Sequence, residues 1–306
     1  MKAIVQDAYG PPEQLRLHDV DRPTPGDGEV LLRVRAAGVN PLDWHYVLGS
    51  PWALRLGEGL RRPKNAVRGV DVAGVVESTG AEVFGWCAGA FAEYAVAPAD
   101  HFVPKPSNVT FEEAAAVPVA AVTALQGLRD HGGLKPGQTV LVNGASGGVG
   151  TYCVQIAKAL GASAVTAVCS THNLELVRSL GADEVIDYTK DDFTKRSDRY
   201  DLIFDNAGSQ PIGALRGTLK PGGVLIYNSG ASMPRMMQAL ALSRIGRNVR
   251  SFLANLTHDD LAFIASLVEA GKVRSVIDRA FPLAEAGAAI AYVYAGHARG
   301  KVVVTV

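Results

Sequence analysis

Hydrophobic and polar positions follow two alternating patterns in the middle of the chain. Short apolar runs bounded by glycine or acidic residues predict β-strands at 139–143, 164–169, 184–187, 201–205 and 224–227. Apolar residues at helical spacing between these runs predict helices at 149–160, 173–180 and 212–219. Strands that alternate with helices through short connections form a parallel sheet covered by helices on both faces.

The two ends of the chain carry a different pattern. Short apolar runs between Gly, Pro and Asp predict strands at 4–5, 15–20, 30–36, 72–77 and 91–96, and an alanine-rich helical stretch covers 111–128 with a break before Pro118. Towards the C-terminus the pattern predicts helices at 233–250, 259–270 and 283–295 and a strand at 301–306. A β-rich lobe, an α/β lobe and a tail that returns to the first lobe is the simplest architecture.

Composition narrows the class of protein. The chain has 306 residues, a formal net charge of zero and well-mixed charges, so nothing favours nucleic acid or an anionic membrane as a partner. We see no signal-peptide pattern and no apolar run of bilayer-spanning length. The three cysteines lack paired spacing, which favours buried thiols in a reducing compartment. We therefore expect a cytoplasmic protein.

The segment after the strand at 139–143 is the most specific motif in the chain. It reads Gly144-Ala145-Ser146-Gly147-Gly148-Val149-Gly150 and leads directly into a predicted helix. Glycines at G-x-x-G-x-x-G spacing permit a tight turn, a close approach of a diphosphate and close packing of the helix on the strand. The helix N-terminus adds unpaired N–H groups and a partial positive charge. We predict that this loop binds a dinucleotide.

The end of the next predicted strand indicates which dinucleotide is bound. Folds that select NAD place an acidic residue here, about twenty residues after the glycines. This chain instead has Ser170, Thr171 and His172, which can donate hydrogen bonds to a 2′-phosphate, and Tyr188 ends the third strand. A helix cap is an alternative and compatible role for Ser170 and Thr171. We predict NADPH as the cofactor, with modest selectivity because His172 is not a permanent cation.

Several segments, in their order along the chain, resemble the medium-chain dehydrogenase/reductase superfamily in its zinc-independent, quinone-oxidoreductase-like branch. The landmarks are residues 37–43 (AGVNPLD), 69–74 (GVDVAG), 89–94 (GAFAEY), 143–150 (NGASGGVG), 180–183 (LGAD) and 300–303 (GKVV). The resemblance covers nearly the whole chain. It implies an α/β fold with a doubly wound Rossmann sheet at 113–253, a GroES-like β-rich domain formed by 1–112 with 254–306, and a homodimer.

The same resemblance predicts that no metal is bound. The zinc branch uses a Cys near position 40 and a Gly-His-Glu motif near position 70, because thiolate and imidazole complete a tetrahedral site. Here Asn40 and Val70 stand at those positions, and the structural four-cysteine lobe is missing. The histidines are scattered without ligand spacing, at His18, His45, His101, His131, His172, His258 and His297.

Further cofactor contacts are expected after two more strands and at two single residues. Asn206-Ala207-Gly208 and Asn228-Ser229-Gly230 each follow a strand of the parallel sheet, where ligands bind in this architecture. The resemblance implies that Thr123 lies near the nicotinamide ribose and that Lys301 is a basic residue near the cofactor. A plain buried helix and a solvated lysine are the respective alternatives.

Without zinc, the easier reaction is hydride delivery from NADPH to a quinone or an α,β-unsaturated carbonyl. The resemblance places Asn40 and His45 on a loop that faces the nicotinamide, where either could polarise the carbonyl. Asn40 could also be a turn residue before Pro41, Asp43 a proton relay or a helix cap, and His45 a pocket-lining residue. An alcohol or aldehyde oxidoreductase and a nucleotide-binding regulator with little turnover are the alternative functions. About ten residues that the family has near Gly80 are missing here, which could reshape the substrate mouth.

Overall fold

The computed structural model describes residues 1–230, 233–246, 248–296 and 298–306, and for Met233 the backbone alone. The described residues form two compact units. The first unit comprises Met1–Ala120, Leu256–Ala270 and Arg274–Val306, and the second comprises Ala121–Asn255 with Gly271–Val273. The resemblance sets the domain boundaries at 112/113 and 253/254, a few residues earlier in the chain than the divisions between these units.

The N-terminal part of the first unit is mostly β-structure. Its strands are β1 (Lys2–Val5), β2 (Arg16–Asp19), β3 (Glu29–Val39), β4 (Asp71–Val76), β5 (Glu82–Trp86), β6 (Tyr94–Pro98) and β7 (Phe102–Pro104), and its helices are α1 (Pro41–Leu48), α2 (Arg55–Glu58) and α3 (Phe111–Ala115). The apolar pattern did not predict β5 or β7. One reason is Gly85, which interrupts the apolar run of β5. Glycine is required there because a Cβ would lie 2.0 Å from the carbonyl oxygen of His101.

The shortened segment near Gly80 forms a complete hairpin. β4 and β5 pair antiparallel from Val75↔Glu82 onward, and the Gly80 N–H donates to the Val76 carbonyl at 2.8 Å. Gly80 has a φ of 73°, a left-handed conformation that favours glycine. The two strands are therefore joined by a tight turn of a few residues, with no break in their pairing.

The second unit alternates strands and helices as the pattern predicted. After α4 (Pro118–Gln126), which spans the boundary between the units, its elements are β8 (Thr139–Asn143), α5 (Gly148–Ala159), β9 (Ala164–Cys169), α6 (Leu174–Ser179), β10 (Glu184–Asp187), β11 (Tyr200–Asp205), α7 (Ile212–Gly217), β12 (Leu219–Tyr227), α8 (Met233–Arg244) and β13 (Val249–Arg250). The prediction of a continuous helix over 233–250 was wrong at its end, because Val249 and Arg250 extend the sheet beside β12.

The described strands of the second unit form one parallel sheet in the order β10-β9-β8-β11-β12-β13. This is the doubly wound order of a Rossmann fold, in which the strand order reverses between β8 and β11. Leu141, Ile203 and Leu225 lie on adjacent strands and are fully buried. The predicted α/β fold with a Rossmann sheet is confirmed.

The C-terminal segments complete the first unit with α9 (His258–Glu269), β14 (Ile277–Pro282), α10 (Ala286–Tyr294) and β15 (Lys301–Thr305). Across the described residues, its main sheet runs β14-β15-β3-β4-β5-β7, and β6 also pairs with β3. β15 lies antiparallel to β3, so the tail returns to the first lobe as predicted. β14 was not predicted, because its sequence IDRAFP has no clear alternation of apolar and polar residues.

Candidate functional site

The predicted nucleotide-binding segments of the second unit all follow the carboxyl ends of its strands. Residues 144–150 follow β8, 170–172 follow β9, Tyr188 follows β10, 206–208 follow β11 and 228–230 follow β12. Because parallel strands end at one edge of a sheet, the fold brings these five segments to the same edge. Sequence reasoning thus placed them correctly relative to the sheet.

The glycine loop has the geometry of a turn that leaves room for a ligand. Gly144 has a φ of 79°, and the N–H groups of Gly144 and Ala145 both donate to the Val168 carbonyl at 3.1 Å. A Cβ at Gly150 would lie 2.1 Å from the Gly144 carbonyl oxygen, so only glycine lets α5 approach the turn. A Cβ at Gly147 would meet nothing nearer than 3.6 Å.

The first turn of α5 fits an anionic group. Gly147 is the N-cap of this twelve-residue helix and has no side chain with which to cap it. The backbone N–H groups at its start are therefore directed to the open side of the loop. This arrangement fits a diphosphate, and Gly148 and Val149 lie in the first helical turn that would hold it.

An asparagine connects the glycine loop to the end of β9. Asn173 donates from Nδ2 to the hydroxyl oxygens of Ser146 at 3.0 Å and Ser170 at 3.1 Å. Its Oδ1 atom is buried and has no hydrogen-bond partner among the described residues. The sequence pattern did not single out Asn173, because the two hydroxyls that it contacts lie 27 and three residues earlier in the chain.

The end of β10 supplies a carboxylate that sequence reasoning missed. Asp187 pairs with Cys169 in the parallel register of β9 and β10, and its carboxylate accepts a hydrogen bond from the Thr171 hydroxyl. The cofactor prediction made from Ser170, Thr171 and His172 therefore left out a nearby carboxylate. It considered only the second strand, whereas the acidic group comes from the third.

The ends of β11 and β12 are held together by polar contacts. Asn228 Nδ2 donates to Asn206 Oδ1 at 3.1 Å, and the Gly208 N–H donates to Asp205 Oδ1 at 3.0 Å. A Cβ at Gly208 would lie 2.5 Å from the Ser229 hydroxyl oxygen. Close packing of these turns brings Gly208 beside Ser229 and Ala207 beside Gly144 of the glycine loop, and Gly230 follows as an exposed residue.

Three other predicted cofactor residues lie in contrasting surroundings. Thr123 is buried on α4, whereas Tyr188 is 60% exposed and donates its backbone N–H to Cys169. His172 is exposed on a short 3₁₀ turn, Thr171–Asn173. Exposure leaves the side chains of Tyr188 and His172 accessible to a ligand at the edge of the sheet.

In the first unit, three of the family landmarks meet in one buried cluster. β3 lies between β15 and β4 and runs antiparallel to both, so its last residues reach the first residues of its two neighbours. Asn40 follows β3, Asp71 begins β4 and Lys301 begins β15. The pairing of strands, rather than closeness in sequence, joins these residues.

Hydrogen bonds connect the whole cluster. Lys301 Nζ donates to Asn40 Oδ1 at 2.6 Å, to the Val39 carbonyl at 3.2 Å and to Asp71 Oδ2 at 3.4 Å. Asn40 Nδ2 donates to Asp71 Oδ2 at 2.9 Å, and the Val119 N–H donates to Asp71 Oδ1 at 3.0 Å. Lys301 is 3% exposed, so the solvated-lysine alternative was wrong.

Burial changes the acid–base chemistry of this region. Removal from water raises the pKa of Asp71, against the opposing effects of the Lys301 charge and the Asn40 hydrogen bond. Burial also raises the pKa of Asp43 to about 7, although the Asn40 N–H donates to its carboxylate at 2.7 Å. A buried carboxyl with this pKa exchanges a proton near neutral pH.

Asn40, Asp43 and His45 belong to the helix α1 and its N-cap rather than to a loop. Asn40 is the N-cap of α1, and the Asp43 carboxylate accepts the Asn40 backbone N–H, so Asp43 performs the capping role predicted as one alternative. His45 is half-buried, with Nδ1 2.8 Å from the Ser50 carbonyl oxygen. Because a carbonyl only accepts, Nδ1 carries a proton and Nε2 is the acceptor of the neutral ring.

The described residues contain no metal cluster and no membrane-spanning helix. No group of three or more His, Cys, Asp or Glu side chains there is arranged to hold a metal ion. His297, one of the scattered histidines, lies outside the described residues. Within the same part of the chain, no helix is long and apolar enough to cross a membrane.

Comparisons with known proteins agree with this architecture. Residues 26–107 match the alcohol dehydrogenase GroES-like domain, and residues 180–304 match a family described as zinc-binding dehydrogenase. The chain is 35% identical to the chloroplastic quinone-oxidoreductase QR1 of Triphysaria versicolor, covering 99% of this chain and 98% of that protein. It is 34% identical to the chloroplastic NADPH-dependent alkenal/one oxidoreductase of Arabidopsis thaliana, covering 99% and 79%.

Structural similarity points the same way. The quinone oxidoreductase from Coxiella burnetii has a TM-score of 0.87 to this structure at 31% identity, covering 100% of this chain and 99% of that one. The fold and these matches define an oxidoreductase of a nicotinamide-dinucleotide-binding family. The chain belongs to the medium-chain dehydrogenase/reductase superfamily, in its quinone-oxidoreductase-like branch.

Proposed function

We propose that this protein is an NADPH-dependent, zinc-independent reductase of quinones or α,β-unsaturated carbonyl compounds. The observation that carries the proposal is the Asn40–Asp71–Lys301 cluster. Asn40 stands where the zinc-binding branch of the family has a cysteine thiolate. Here the side-chain oxygen of Asn40 accepts a hydrogen bond from the buried ammonium of Lys301. An amide is a poor zinc ligand and Lys301 would repel a dication, so these residues do not fit a zinc site.

The cofactor assignment rests on the carboxyl edge of the second unit's sheet. Gly147, Gly148 and Val149 would bind the diphosphate through the start of α5, while Ser170 and His172 would contact the 2′-phosphate. Bound NADPH would supply the hydride, and with one proton from the medium a quinone would become a hydroquinone as NADPH becomes NADP⁺. The NADPH named in the alkenal/one oxidoreductase of Arabidopsis thaliana supports this choice.

Of the predicted candidates for carbonyl polarisation, His45 is better suited than Asn40. The Asn40 amide is 5% exposed, and both its oxygen and its nitrogen have internal partners. His45 is more exposed, and in its imidazolium form Nε2 can donate a proton. We assign Asn40 and Asp43 positioning roles at the start of α1.

A substrate panel tests this function. NADPH oxidation is followed with quinones, enones, aldehydes and, in the reverse direction, alcohols with NADP⁺. We expect turnover with quinones or enones and little with alcohols. Efficient alcohol oxidation would contradict the proposal, and tight NADPH binding without turnover on any substrate would favour a nucleotide-binding regulator. Zinc bound in stoichiometric amount in the purified protein would refute zinc independence.

Two substitutions test the roles that we assign to His45 and Asn40 in the first unit. His45→Phe should lower kcat at least tenfold, whereas Asn40→Ala should act mainly through stability because it removes contacts to Asp71 and Lys301. A normal kcat in His45→Phe would remove His45 from the mechanism.

The homodimer and the cytoplasmic location stay proposals, the first testable by light scattering and the second by fractionation of the source cells.

A further inference from the structure

Asp187 lies where its charge can act on the proposed 2′-phosphate site. It is the last residue of β10 and lies beside Cys169, the last residue of β9. Its Oδ2 accepts a hydrogen bond from the Thr171 hydroxyl. Its Oδ1 accepts hydrogen bonds from the Thr189 hydroxyl at 2.7 Å and from the Thr189 N–H at 3.0 Å. The carboxylate is thus held against the turn that carries Ser170, Thr171 and His172.

The hydrogen bond from Thr171 has a direct consequence for ligand binding. A threonine hydroxyl has one proton, so while it donates to Asp187 it can only accept from another group. A phosphate oxygen is an acceptor too, and the two would compete for that proton. Thr171 therefore does not act as the phosphate donor that the sequence alone suggested, unless it turns away from Asp187.

Asp187 also keeps its charge at every pH at which the protein would be assayed. Hydrogen bonds from the hydroxyls of Thr171 and Thr189 lower its pKa to about 2. Its side chain is 9% exposed, so water screens the charge less than at an open surface. The Lys190 ammonium lies 3.6 Å from Asp187 Oδ2 and offsets the charge in part from an exposed position.

We propose that Asp187 is a specificity-determining residue that opposes binding of the cofactor's 2′-phosphate and so limits the preference for NADPH over NADH. The inference rests on the proposed function, since it assumes a dinucleotide at this edge of the sheet. The carboxylate repels the phosphate. Because it accepts the hydrogen bond of the Thr171 hydroxyl, that hydroxyl has no proton left to donate to the phosphate. It acts from the third strand, whereas the usual acidic residue that selects NAD ends the second.

The chain contains a matched control for this residue. Asp192 belongs to a second Asp-x-Thr-Lys segment, in which its Oδ1 accepts the Thr194 hydroxyl at 2.7 Å and the Thr194 N–H at 3.1 Å. Its Oδ2 lies 3.3 Å from the Lys195 ammonium. Asp192→Asn therefore removes the same charge from a similar turn, whose carboxylate is more exposed (35% against 9%) and accepts from Thr194 rather than from Thr171.

The test compares binding of 2′,5′-ADP and 5′-AMP to the full chain by calorimetry. Asp187→Asn should tighten 2′,5′-ADP about three- to tenfold and change 5′-AMP less than twofold, as expected for loss of one partly screened charge. Asp192→Asn should leave both affinities as in the wild type. The ratio of KM values for NADPH and NADH should shift in the same direction.

Each contrary outcome has a distinct meaning. An unchanged ratio of the two affinities in Asp187→Asn, or an equal weakening of both ligands, would overturn the inference and leave Asp187 a purely structural residue. An equal shift of the ratio in Asp192→Asn would also overturn it, because the effect would then come from general charge. Failure of the wild type to bind either nucleotide would instead overturn the proposed function.

Discussion

Two carboxylate clusters, one in each unit, have opposite electrostatic character. In the first unit, burial raises the pKa of Asp43 to about 7 and also raises that of Asp71. In the second unit, hydroxyl donors lower the pKa of Asp187 to about 2. The difference lies mainly in burial: removal from water is the largest effect at Asp43 and Asp71, whereas at Asp187 three hydrogen bonds from two threonines outweigh it.

The comparison separates two uses of an acidic side chain. A carboxyl that titrates near neutral pH can hold or release a proton beside the cluster of Asn40 and Lys301. A carboxylate that is always ionised can instead discriminate between ligands of different charge. The first kind of group makes the fold sensitive to pH, whereas the second affects selectivity and contributes little pH dependence near neutrality.

The largest effect should follow loss of the buried cation. Lys301→Met leaves Asp71 in a buried site without its positive partner, so we expect the free energy of unfolding to fall by about 3–5 kcal/mol. Urea unfolding followed by circular dichroism measures it. Lys190→Met, which removes an exposed lysine beside Asp187, should cost about 0.5 kcal/mol or less. Equal losses in the two variants would remove the contrast between the clusters.

The sequence alone could not show that Asn40, Asp71 and Lys301 form a cluster. Asn40 and Asp71 are 31 residues apart, and Lys301 is 261 residues from Asn40. Only the antiparallel register of β15, β3 and β4 brings them together. The resemblance named the segments that contain them, but it gave no reason for their contact.

The second unit was more predictable for a physical reason. Its central strands are buried on both faces, so they read as continuous apolar runs, and β8 and β9 were predicted to the residue. β14 and β13 lie at sheet edges, and their short mixed sequences carry little signal. Asp187 was overlooked although its strand was placed correctly, because its contact with Thr171 crosses from one strand end to the next.

The second prediction concerns the pH dependence of stability. The folded-state pKa of Asp43, about 7, lies above the ordinary value of 3.8, so between these values the folded chain holds a proton that the unfolded chain has released. The resulting contribution is fully present below about pH 4 and is lost as the pH rises through about 7. Relative to Asp43→Asn, the wild type should lose up to about 4 kcal/mol over this range.

Asp43→Asn is the matched control because its amide oxygen can still accept the Asn40 N–H but does not titrate. Unfolding free energies of both proteins are measured from pH 4 to pH 8. Parallel curves would show that Asp43 has an ordinary pKa and would break the proposed contrast with Asp187.

The third prediction separates packing from ligand space within the glycine loop. Gly150→Ala places a Cβ 2.1 Å from the Gly144 carbonyl oxygen and should lower the stability by about 2–3 kcal/mol. Gly147→Ala meets nothing nearer than 3.6 Å, so it should cost only about 0.5–1 kcal/mol, the difference between glycine and alanine at an N-cap. Its methyl group would enter the open side of the loop and weaken NADPH binding about tenfold. Wild-type NADPH affinity in Gly147→Ala would contradict the proposed diphosphate site.

The smallest predicted effect tests the charge balance around Asp187. Lys190→Met removes the cation that lies 3.6 Å from the carboxylate, so the 2′-phosphate should meet a more negative site. We expect the Kd for 2′,5′-ADP to rise about twofold with little change for 5′-AMP, since Lys190 is 69% exposed and well screened. Lys195→Met, the corresponding change in the second Asp-x-Thr-Lys segment, should alter neither. A tighter 2′,5′-ADP complex in Lys190→Met would contradict the proposed discrimination, because a more negative site should not bind the phosphate better.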